Sequence, residues 1–297
     1  TVDEFAADGR DDLIYDICLQ KPWPSQTATL LAWLKRHAPD IYAQTGTAFL
    51  CKDYLRFCLT GTIGSDYSDM SGCGLLRLPS LEYDQELLTH YGLEDCPNLL
   101  PPLSQSTDII GKVTPEAAEQ TGLQAGTPMV AGLFDIVASA LGAGTTQPGQ
   151  ASIVAGTWSI NQVVVEQPVS DPSIFMAAAI SPDRFVEAEA SATSATNLAW
   201  MVREFLTDND MQADESTVLA HCNELVAGVE LVPGLPIFHP FIYGSGSNGS
   251  ARAGFYGIGG WHTRAHMIHA IYEGVVFGHL QHIAKLRNAG VDFNSAT

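Results

Sequence analysis

Residues 128–142, PMVAGLFDIVASALG, decide the fold class of this chain. An apolar run typical of a buried strand stops at Phe134, and a run of small and apolar residues typical of a helix begins at Ile136. Asp135 lies at the junction, and α/β proteins place their reacting groups at the carboxyl edge of a sheet. The pattern therefore predicts an α/β fold with Asp135 as a candidate general base.

Asp135 also has a purely structural interpretation. Aspartate is a preferred N-cap residue, because its carboxylate accepts a hydrogen bond from the first turn of a helix. The two roles are compatible, since a capping carboxylate stays ionised and is able to accept a proton from a bound hydroxyl.

A second pattern follows at residues 151–165, where two β-rich runs flank Gly156-Thr157. This predicts a hairpin whose turn amides and hydroxyl could hold a phosphate. The alternative is an ordinary hairpin turn with no ligand.

Composition and charge limit the ligands. The chain has 297 residues, 46% of them hydrophobic, which is enough for two ordinary domains or one large one. Its 14 Lys and Arg against 33 Asp and Glu give a net charge of −19. That field repels nucleic acids and anionic membranes, so neither is an expected partner. An anionic nucleotide needs backbone amides or a metal ion here, which favours Mg²⁺-bound ATP.

The cysteines and the apolar runs indicate a cytoplasmic protein. The six cysteines contain no C-x-x-C pair and are expected to be free thiols in a reducing compartment. The first residues, Thr1-Val2-Asp3-Glu4-Phe5, have no signal-peptide pattern, and no apolar run approaches the roughly 20 residues that span a bilayer.

The composition changes at residues 142–149, GAGTTQPG, which we interpret as a linker. We place a domain boundary there, giving domains 1–143 and 144–297. The helices predicted from periodicity and end signals are 28–36, 52–61, 83–91, 115–121, 197–206, 215–226 and 263–288.

Two further patterns suggest ligands only weakly. Residues 244–249 match G-x-G-x-x-G, but the residues that follow do not open a helix, so a nicotinamide nucleotide is disfavoured. The histidines of the last helix include His262, His266 and His269 at zinc-like spacing, followed by His279 and His282. No H-E-x-x-H glutamate accompanies them, and we expect no metal site.

Three residues of the first half carry alternatives. Asp66 and Asp69 could hold a cation, but turn caps are the favoured interpretation. Trp23, between two prolines, is either a stacking surface for a sugar ring or a packed loop residue.

Several motifs in order through nearly the whole chain resemble those of the FGGY carbohydrate kinase family, most closely its L-xylulose kinase and pentulose kinase branch. The matching segments are 23–26 with 30–34, 51–56 with 59–61, 66–72, 111–118, 131–135, 155–161 and 251–257 through 262–266 to 273–277.

The resemblance implies an actin-like ATPase fold with two ribonuclease-H-like domains. Residues 1–143 would be the C-terminal part of a sugar-binding domain and 144–297 the N-terminal part of a nucleotide-binding domain. It also implies that Asp135 is the general base, that Gly156 and Thr157 grip the phosphates of ATP with Mg²⁺, and that the substrate is a ketose such as a pentulose, L-xylulose-like.

The same resemblance implies that both domains are incomplete. An Asp-x-Gly-Thr phosphate hairpin and a Gly-Gly-Gly-Ala adenine segment are expected in the family, and neither occurs in this sequence. We therefore expect an interior fragment that is inactive alone. A non-catalytic nucleotide-sensing module on the same fold and an NAD-dependent oxidoreductase are the alternative functions, and the oligomeric state stays open, with a homodimer as one option.

Overall fold

The computed structural model describes residues 1–206, 215–244 and 251–297. The chain divides into two compact units, which we describe separately. Unit 1 comprises Thr1–Ala151, Gln162–Ala188 and Ala289–Thr297, and unit 2 comprises Ser152–Asn161 and Glu189–Asn288. These units are defined by contacts within the structure, whereas the boundary at 143/144 was predicted from the composition of the sequence. The predicted domain boundary therefore stays a prediction.

The elements alternate between helices and short strands. The helices are α1 (Val2–Ala7), α2 (Arg10–Cys18), α3 (Thr27–His37), α4 (Pro39–Gln44), α5 (Cys51–Thr60), α6 (Tyr67–Gly72), α7 (Gln85–Tyr91), α8 (Pro115–Thr121), α9 (Asp135–Gly142), α10 (Thr196–Met201), α11 (Glu215–Ala227) and α12 (Arg264–Asn288). The strands are β1 (Ser65–Asp66), β2 (Leu76–Arg77), β3 (Glu82–Tyr83), β4 (Leu103–Ser104), β5 (Ile109–Lys112), β6 (Pro128–Val130), β7 (Gln150–Ala155), β8 (Ser159–Val165), β9 (Met176–Ser181), β10 (Arg184–Ser191), β11 (Ile237–His239), β12 (Gly254–Tyr256) and β13 (Ser295–Ala296).

The end signals of the sequence explain where several helices begin and stop. Helix α5 ends at Gly61, whose φ of +67° suits glycine at a helix C-terminus. Helix α8 begins with Pro115, and the Thr114 side chain accepts a hydrogen bond from the Ala117 amide. These predicted helices are confirmed. The helix predicted at 197–206 is α10 followed by a π-helical turn at Val202–Leu206.

The main sheet has the strand order β13-β7-β8-β10-β9. Strands β9 and β10 are antiparallel, with Phe185 opposite Ala179, and β13 runs parallel to β7. The predicted hairpin around Gly156-Thr157 is confirmed, because β7 and β8 are neighbours in the sheet and residues 156–158 join them.

The core of unit 1 consists of two hydrophobic clusters. The larger one joins helices of the first half to β10, with Phe5, Leu87 and Phe185 fully buried. The smaller one packs Val137 of α9 against Val164 and other side chains of the sheet. Helix α9 is therefore anchored by its buried face, which leaves its opposite face free for chemistry.

The core of unit 2 is built around α12. Ile271 of this helix packs against Phe238 of β11 and Met201 of α10, and Ile268 packs against Cys222 of α11. Among the described residues, no helix combines the length and the apolar character that crossing a membrane requires.

One part of the opening prediction is wrong. The run before Asp135 forms only the short strand β6, which pairs antiparallel with β5 and has exposed residues at both ends. The extended run breaks at Gly132, whose φ of +94° lies in the region that favours glycine. Asp135 therefore follows a short exposed strand instead of a buried one.

Candidate active site

Asp135 is the first residue of α9, and its carboxylate is exposed. The N-cap residue of α9 is Phe134, whose side chain makes no capping hydrogen bond. The interpretation of Asp135 as the N-cap is therefore wrong, because Asp135 lies one residue further into the helix. Its Oδ1 accepts a hydrogen bond of 2.7 Å from the amide of Ile136, in the first turn, where the helix dipole stabilises negative charge. The carboxylate of Asp135 is thus exposed to solvent and is oriented by its hydrogen bond to the first turn of α9.

The backbone before Asp135 is held by hydrogen bonds to loops of unit 1. The amide of Ala131 donates to the carbonyl of Asp108 at 2.9 Å, and the amide of Gly132 donates to the carbonyl of Ser106 at 2.9 Å. The carbonyl of Ala131 accepts from Nη1 of Arg56 at 2.6 Å. These three hydrogen bonds hold the backbone of Ala131 and Gly132 beyond the end of β6.

A cluster of charged side chains lies behind this segment. Nζ of Lys52 contacts carboxylate oxygens of Asp53 at 2.7 Å, Asp66 at 2.8 Å and Asp69 at 3.4 Å. Arg56, which is 4% exposed, pairs with Asp53 at 2.9 Å. We call Lys52, Asp53, Arg56, Asp66 and Asp69 the charged cluster. Buried charges require such pairing, because an unpaired one carries a large desolvation penalty.

Asp69 is the member of the charged cluster whose protonation is perturbed. Burial raises its pKa to about 6, and the neighbouring carboxylates of Asp66 and Asp53 add to the rise, while Lys52 opposes it. Asp66 caps α6 by accepting from the Ser68 amide at 2.8 Å, which confirms the favoured interpretation of Asp66. The ammonium group of Lys52 contacts both Asp66 and Asp69.

Gly156 and Thr157 form the tip of the β7–β8 hairpin in unit 2. The Gly156 amide donates to the carbonyl of Trp158 at 3.2 Å, and the Gly156 carbonyl accepts from the Ala195 amide at 3.0 Å. The Thr157 side chain is exposed. An exposed hydroxyl at the tip of a tethered turn is available to an oxyanion ligand.

The hairpin continues into a cluster of neutral side chains. Asn161 of β8 is 1% exposed, and its Nδ2 lies 2.8 Å from Nδ1 of His282, while its Oδ1 lies 2.9 Å from Nδ1 of His279. We call these three residues the neutral cluster. Burial lowers the pKa of His279, and burial together with the neighbouring charges lowers the pKa of His282 to about 4. The expectation of satisfied histidines holds for Nδ1 of both residues, whereas Nε2 of His279 is buried with no hydrogen-bond partner among the described residues.

The other histidines also bond locally. Nδ1 of His262 accepts from the Gly259 amide at 2.9 Å, and Nδ1 of His266 accepts from the Thr263 amide at 3.0 Å. Within residues 1–206, 215–244 and 251–297, no group of three or more His, Cys, Asp or Glu could hold a metal ion. The glycine-rich motif at 244–249 lies, beyond Gly244, outside the described residues.

Trp23 lies in unit 1, half-buried, with its ring centroid 5.6 Å from that of Phe175. This contact fits a packed loop residue, and the sugar-stacking role stays a prediction. Trp23 and Asp135 belong to unit 1, whereas Gly156 and Thr157 belong to unit 2.

Sequence reasoning did not assign roles to Ser68, Arg56 or Asn161. A usable signal existed for Arg56, because it follows Asp53 by three residues and Lys52 by four on a predicted helix, and side chains at these spacings are neighbours. No local signal exists for Asn161, whose histidine partners lie 118 and 121 residues away.

Comparison with known proteins identifies the family. Residues 1–142 match the N-terminal domain of the FGGY family of carbohydrate kinases, and residues 151–295 match its C-terminal domain. The chain is 36% identical to an L-xylulose/3-keto-L-gulonate kinase of Escherichia coli over 97% of this chain and 56% of that protein. It is 37% identical to a probable L-xylulose kinase of Pasteurella multocida over 96% of this chain and 58% of that protein. The chain thus spans a little over half the length of these relatives.

The solved structures agree. A xylulose kinase from Rhodospirillum rubrum superposes with a TM-score of 0.83 at 25% identity, covering 99% of this chain and 59% of that one. The expected α/β, actin-like fold class is confirmed by this likeness. Matches to both family domains, in the expected order, together with relatives above 35% identity, establish that this chain belongs to the FGGY family of carbohydrate kinases.

Proposed function

We propose that the protein is an ATP-dependent carbohydrate kinase, which transfers the γ-phosphate of ATP to a hydroxyl of a ketose such as a pentulose. The observation that carries the proposal is the exposed carboxylate of Asp135, on a helix whose entry is hydrogen-bonded in place, in a chain of the FGGY family. The names of the relatives, which are L-xylulose kinases, support an L-xylulose-like substrate.

Asp135 would act as the general base. Phosphoryl transfer needs little covalent chemistry from a protein, so one carboxylate that accepts the proton of the attacking hydroxyl is sufficient at this end. Among the described residues the carboxylate accepts one hydrogen bond, from the Ile136 amide to Oδ1, which leaves Oδ2 for a sugar hydroxyl. Trp23 is a candidate surface for the sugar ring.

Gly156 and Thr157 would hold the phosphates of ATP. The Gly156 amide already donates to the carbonyl of Trp158, so the donors offered to an oxyanion at this turn are the hydroxyl and the backbone amide of Thr157. Gly156 contributes by having no side chain, which allows a phosphate to approach the backbone closely. Such a site suits a chain whose net charge is −19, because no basic groove is needed.

Mg²⁺ would arrive with ATP. The ion usually keeps several waters and is held by one or two carboxylates and by the phosphates of the substrate. It therefore does not require a cluster of three protein ligands, and the described residues contain none. The ion would neutralise charge on the transferred phosphoryl group. We further propose a cytoplasmic location, which is supported by the six cysteines all being free thiols.

The test is a coupled kinase assay of the purified full-length protein over a panel of ketoses, with Asp135→Asn as the diagnostic variant. We expect kcat to fall by about 10²- to 10⁴-fold, because the base is lost while the shape is kept. Asp40→Asn is the matched control, since Asp40 is also an exposed aspartate in the first turn of a helix.

Two outcomes would contradict the proposal. Wild-type turnover by Asp135→Asn would remove Asp135 from the mechanism. Tight ATP binding without turnover of any sugar would instead favour a nucleotide-sensing module.

A further inference from the structure

We propose that Ser68 and Arg56 are positioning residues, which hold the backbone on either side of Gly132 so that the carboxylate of Asp135 meets the sugar hydroxyl. This inference rests on the proposed role of Asp135 as the general base. Neither side chain touches the reacting atoms in this account, and each acts through the segment 131–134.

Ser68 holds the residue immediately before the base. Its hydroxyl is fully buried and accepts a hydrogen bond of 2.8 Å from the amide of Phe134. The same hydroxyl donates to Oδ2 of Asp66. Since an ionised carboxylate only accepts, the hydroxyl proton must point to Asp66, which leaves an oxygen lone pair for the amide of Phe134. Asp66 therefore sets the direction of the contact.

The side chain of Phe134 is held by the same helix. A Cβ at Gly72, at the end of α6, would lie 2.6 Å from the ring of Phe134. Only a residue without a side chain allows this close approach. Phe134 is thus fixed by its amide at one point of α6 and by its ring at another, four residues along.

Arg56 holds the other end of the segment. Its Nη1 donates to the carbonyl of Ala131 at 2.6 Å and to Oδ1 of Asp53 at 2.9 Å, while Nη2 donates to the carbonyl of Gly64. The planar guanidinium keeps these donors in a fixed geometry, which a lysine does not provide. The segment 131–134 is therefore held on both sides of Gly132, whose φ of +94° marks the turn in the chain.

Such holding matters because a general base works only within hydrogen-bond reach of the proton it accepts. A misplacement of about 1 Å, caused by a change distant from the chemistry, is able to cost about 10²-fold in rate. Loss of the Ser68 contact leaves the carboxylate chemically intact but releases the residue that precedes it.

The helix itself provides a matched control. Ser71 of α6 is also fully buried, and its hydroxyl also accepts a backbone amide at 2.8 Å, that of Ala179 in β9. Ser68→Ala and Ser71→Ala therefore remove the same group from the same helix, and each takes the hydroxyl partner from one backbone amide. They differ in whether that amide adjoins the base. The lost donor contact also differs, because the Ser68 hydroxyl donates to Asp66 and the Ser71 hydroxyl donates to the Ser68 carbonyl.

The experiment compares kcat and KM of the two variants in the purified full-length protein, with urea midpoints measured alongside. We expect similar shifts in the urea midpoint, a kcat for Ser68→Ala that is about 10- to 100-fold lower, an unchanged KM for ATP, and a near wild-type kcat for Ser71→Ala. Equal kcat values for the two variants would overturn the inference.

A double-mutant cycle shows whether Ser68 acts through the base. In an Asp135→Asn background, Ser68→Ala should cause little further loss, because the group that it positions is absent. The same fold-loss in both backgrounds would mean a general structural role and would overturn the inference. If Ser68→Ala does not fold, Ser68→Cys against Ser71→Cys carries the same comparison with a weaker acceptor of similar size.

Failure of this inference differs from failure of the proposed function. If Asp135→Asn retains turnover, the base assignment is wrong. If Asp135→Asn loses turnover but Ser68→Ala matches Ser71→Ala, the base assignment stands and the positioning role is wrong.

Discussion

The segment that ends at Asp135 and the hairpin at Gly156-Thr157, which are proposed to bind the substrates, contact different kinds of polar side chains. The segment that leads to Asp135 contacts the charged cluster, in which ammonium and guanidinium groups face carboxylates. The hairpin with Gly156 and Thr157 leads instead into the neutral cluster, in which an amide joins two uncharged imidazoles. The charged cluster pairs residues that lie 1 to 17 positions apart in the sequence, whereas the neutral cluster joins residues that lie 118 and 121 positions apart.

The difference lies in what each cluster loses when it is disturbed. Removing one member of a buried ion pair leaves an uncompensated charge, whereas removing a neutral hydrogen-bond partner leaves an unpaired dipole. Acid also has opposite effects on the stability that the two clusters contribute, because protonation makes a buried carboxylate neutral and a buried imidazole charged. The following predictions test this contrast, from the largest expected effect to the smallest.

Arg56→Met should give the largest effect. It leaves Asp53 with less compensation and removes the donor to Ala131, so we expect the free energy of unfolding to fall by about 3–5 kcal/mol. Urea unfolding monitored by circular dichroism measures this loss. A loss of this size would show that substitution in the charged cluster destabilises the fold more than substitution in the neutral cluster does.

The control for Arg56→Met is Arg36→Met, which breaks an ion pair with Glu4 whose side chains are 49% and 54% exposed. Exposed pairs contribute about 0–1 kcal/mol, so this variant should unfold almost as the wild type does. Equal losses from the two arginine variants would show that burial does not distinguish the charged cluster.

Acidification should affect Asp69 and His282 with opposite signs. The folded-state pKa of Asp69 is raised to about 6 from 3.8, so between about pH 4 and 6 the folded state binds more protons and acid stabilises it. The folded-state pKa of His282 is lowered to about 4 from 6.5, so over a similar window the unfolded state binds more protons and acid destabilises the fold. At 1.36 kcal/mol per pKa unit, each contribution is about 3 kcal/mol.

The measurement uses Asp69→Asn and His282→Gln, each compared with the wild type in urea at pH 4.5, 5.5 and 6.5. Lys52, Asp53 and Asp66 are the charged groups whose fields act on Asp69, and all three are retained in the Asp69→Asn variant. The difference in unfolding free energy between wild type and variant should change with pH in opposite directions for the two positions. Changes in the same direction would contradict the contrast between the clusters.

Asn161→Ala should give a smaller effect than either charge perturbation. It leaves Nδ1 of His279 and Nδ1 of His282 buried without their amide partner, which costs about 1–3 kcal/mol. Asn223→Ala is the control, because Asn223 also accepts a hydrogen bond, from the Tyr272 hydroxyl at 2.7 Å, but lies exposed on α11. A loss from Asn223→Ala as large as that from Asn161→Ala would refute the importance of the buried amide.

Local signals predicted the elements, but not the contacts between them. Pro115 and the periodicity after it predicted α8 to the residue, and Gly156-Thr157 predicted the hairpin, because these rules act over a few residues. The contact of Ser68 with Phe134 spans 66 residues, and no periodicity encodes it. The support of the candidate site was therefore invisible in the sequence, although Asp135 itself was not.

The local sequence also failed to predict elements that form only through contacts with distant parts of the chain. No helix is predicted before residue 28, yet α2 spans Arg10–Cys18 and buries Ile14 and Ile17 in the larger core cluster of unit 1. Strand β1 has two residues and exists because Ser65 and Asp66 pair in parallel with Leu103 and Ser104. A two-residue strand has no pattern of its own and is defined only by its partner.

Gly156→Ala should have the smallest effect on stability and separates folding from ligand binding. Gly156 has no left-handed φ, and a Cβ there would meet its nearest neighbours, the carbonyl oxygen of Trp158 and a methyl of Val154, at 3.8 Å. The fold alone therefore does not require glycine, and we expect the free energy of unfolding to change by less than about 0.5 kcal/mol. If the hairpin binds phosphate through close backbone approach, the added methyl should still raise KM for ATP while KM for the sugar is unchanged. Unchanged KM values for both substrates would argue against phosphate binding at this turn. A large fall in the free energy of unfolding would mean that the packing of the hairpin tip, and not only its hydrogen bonds, stabilises the fold.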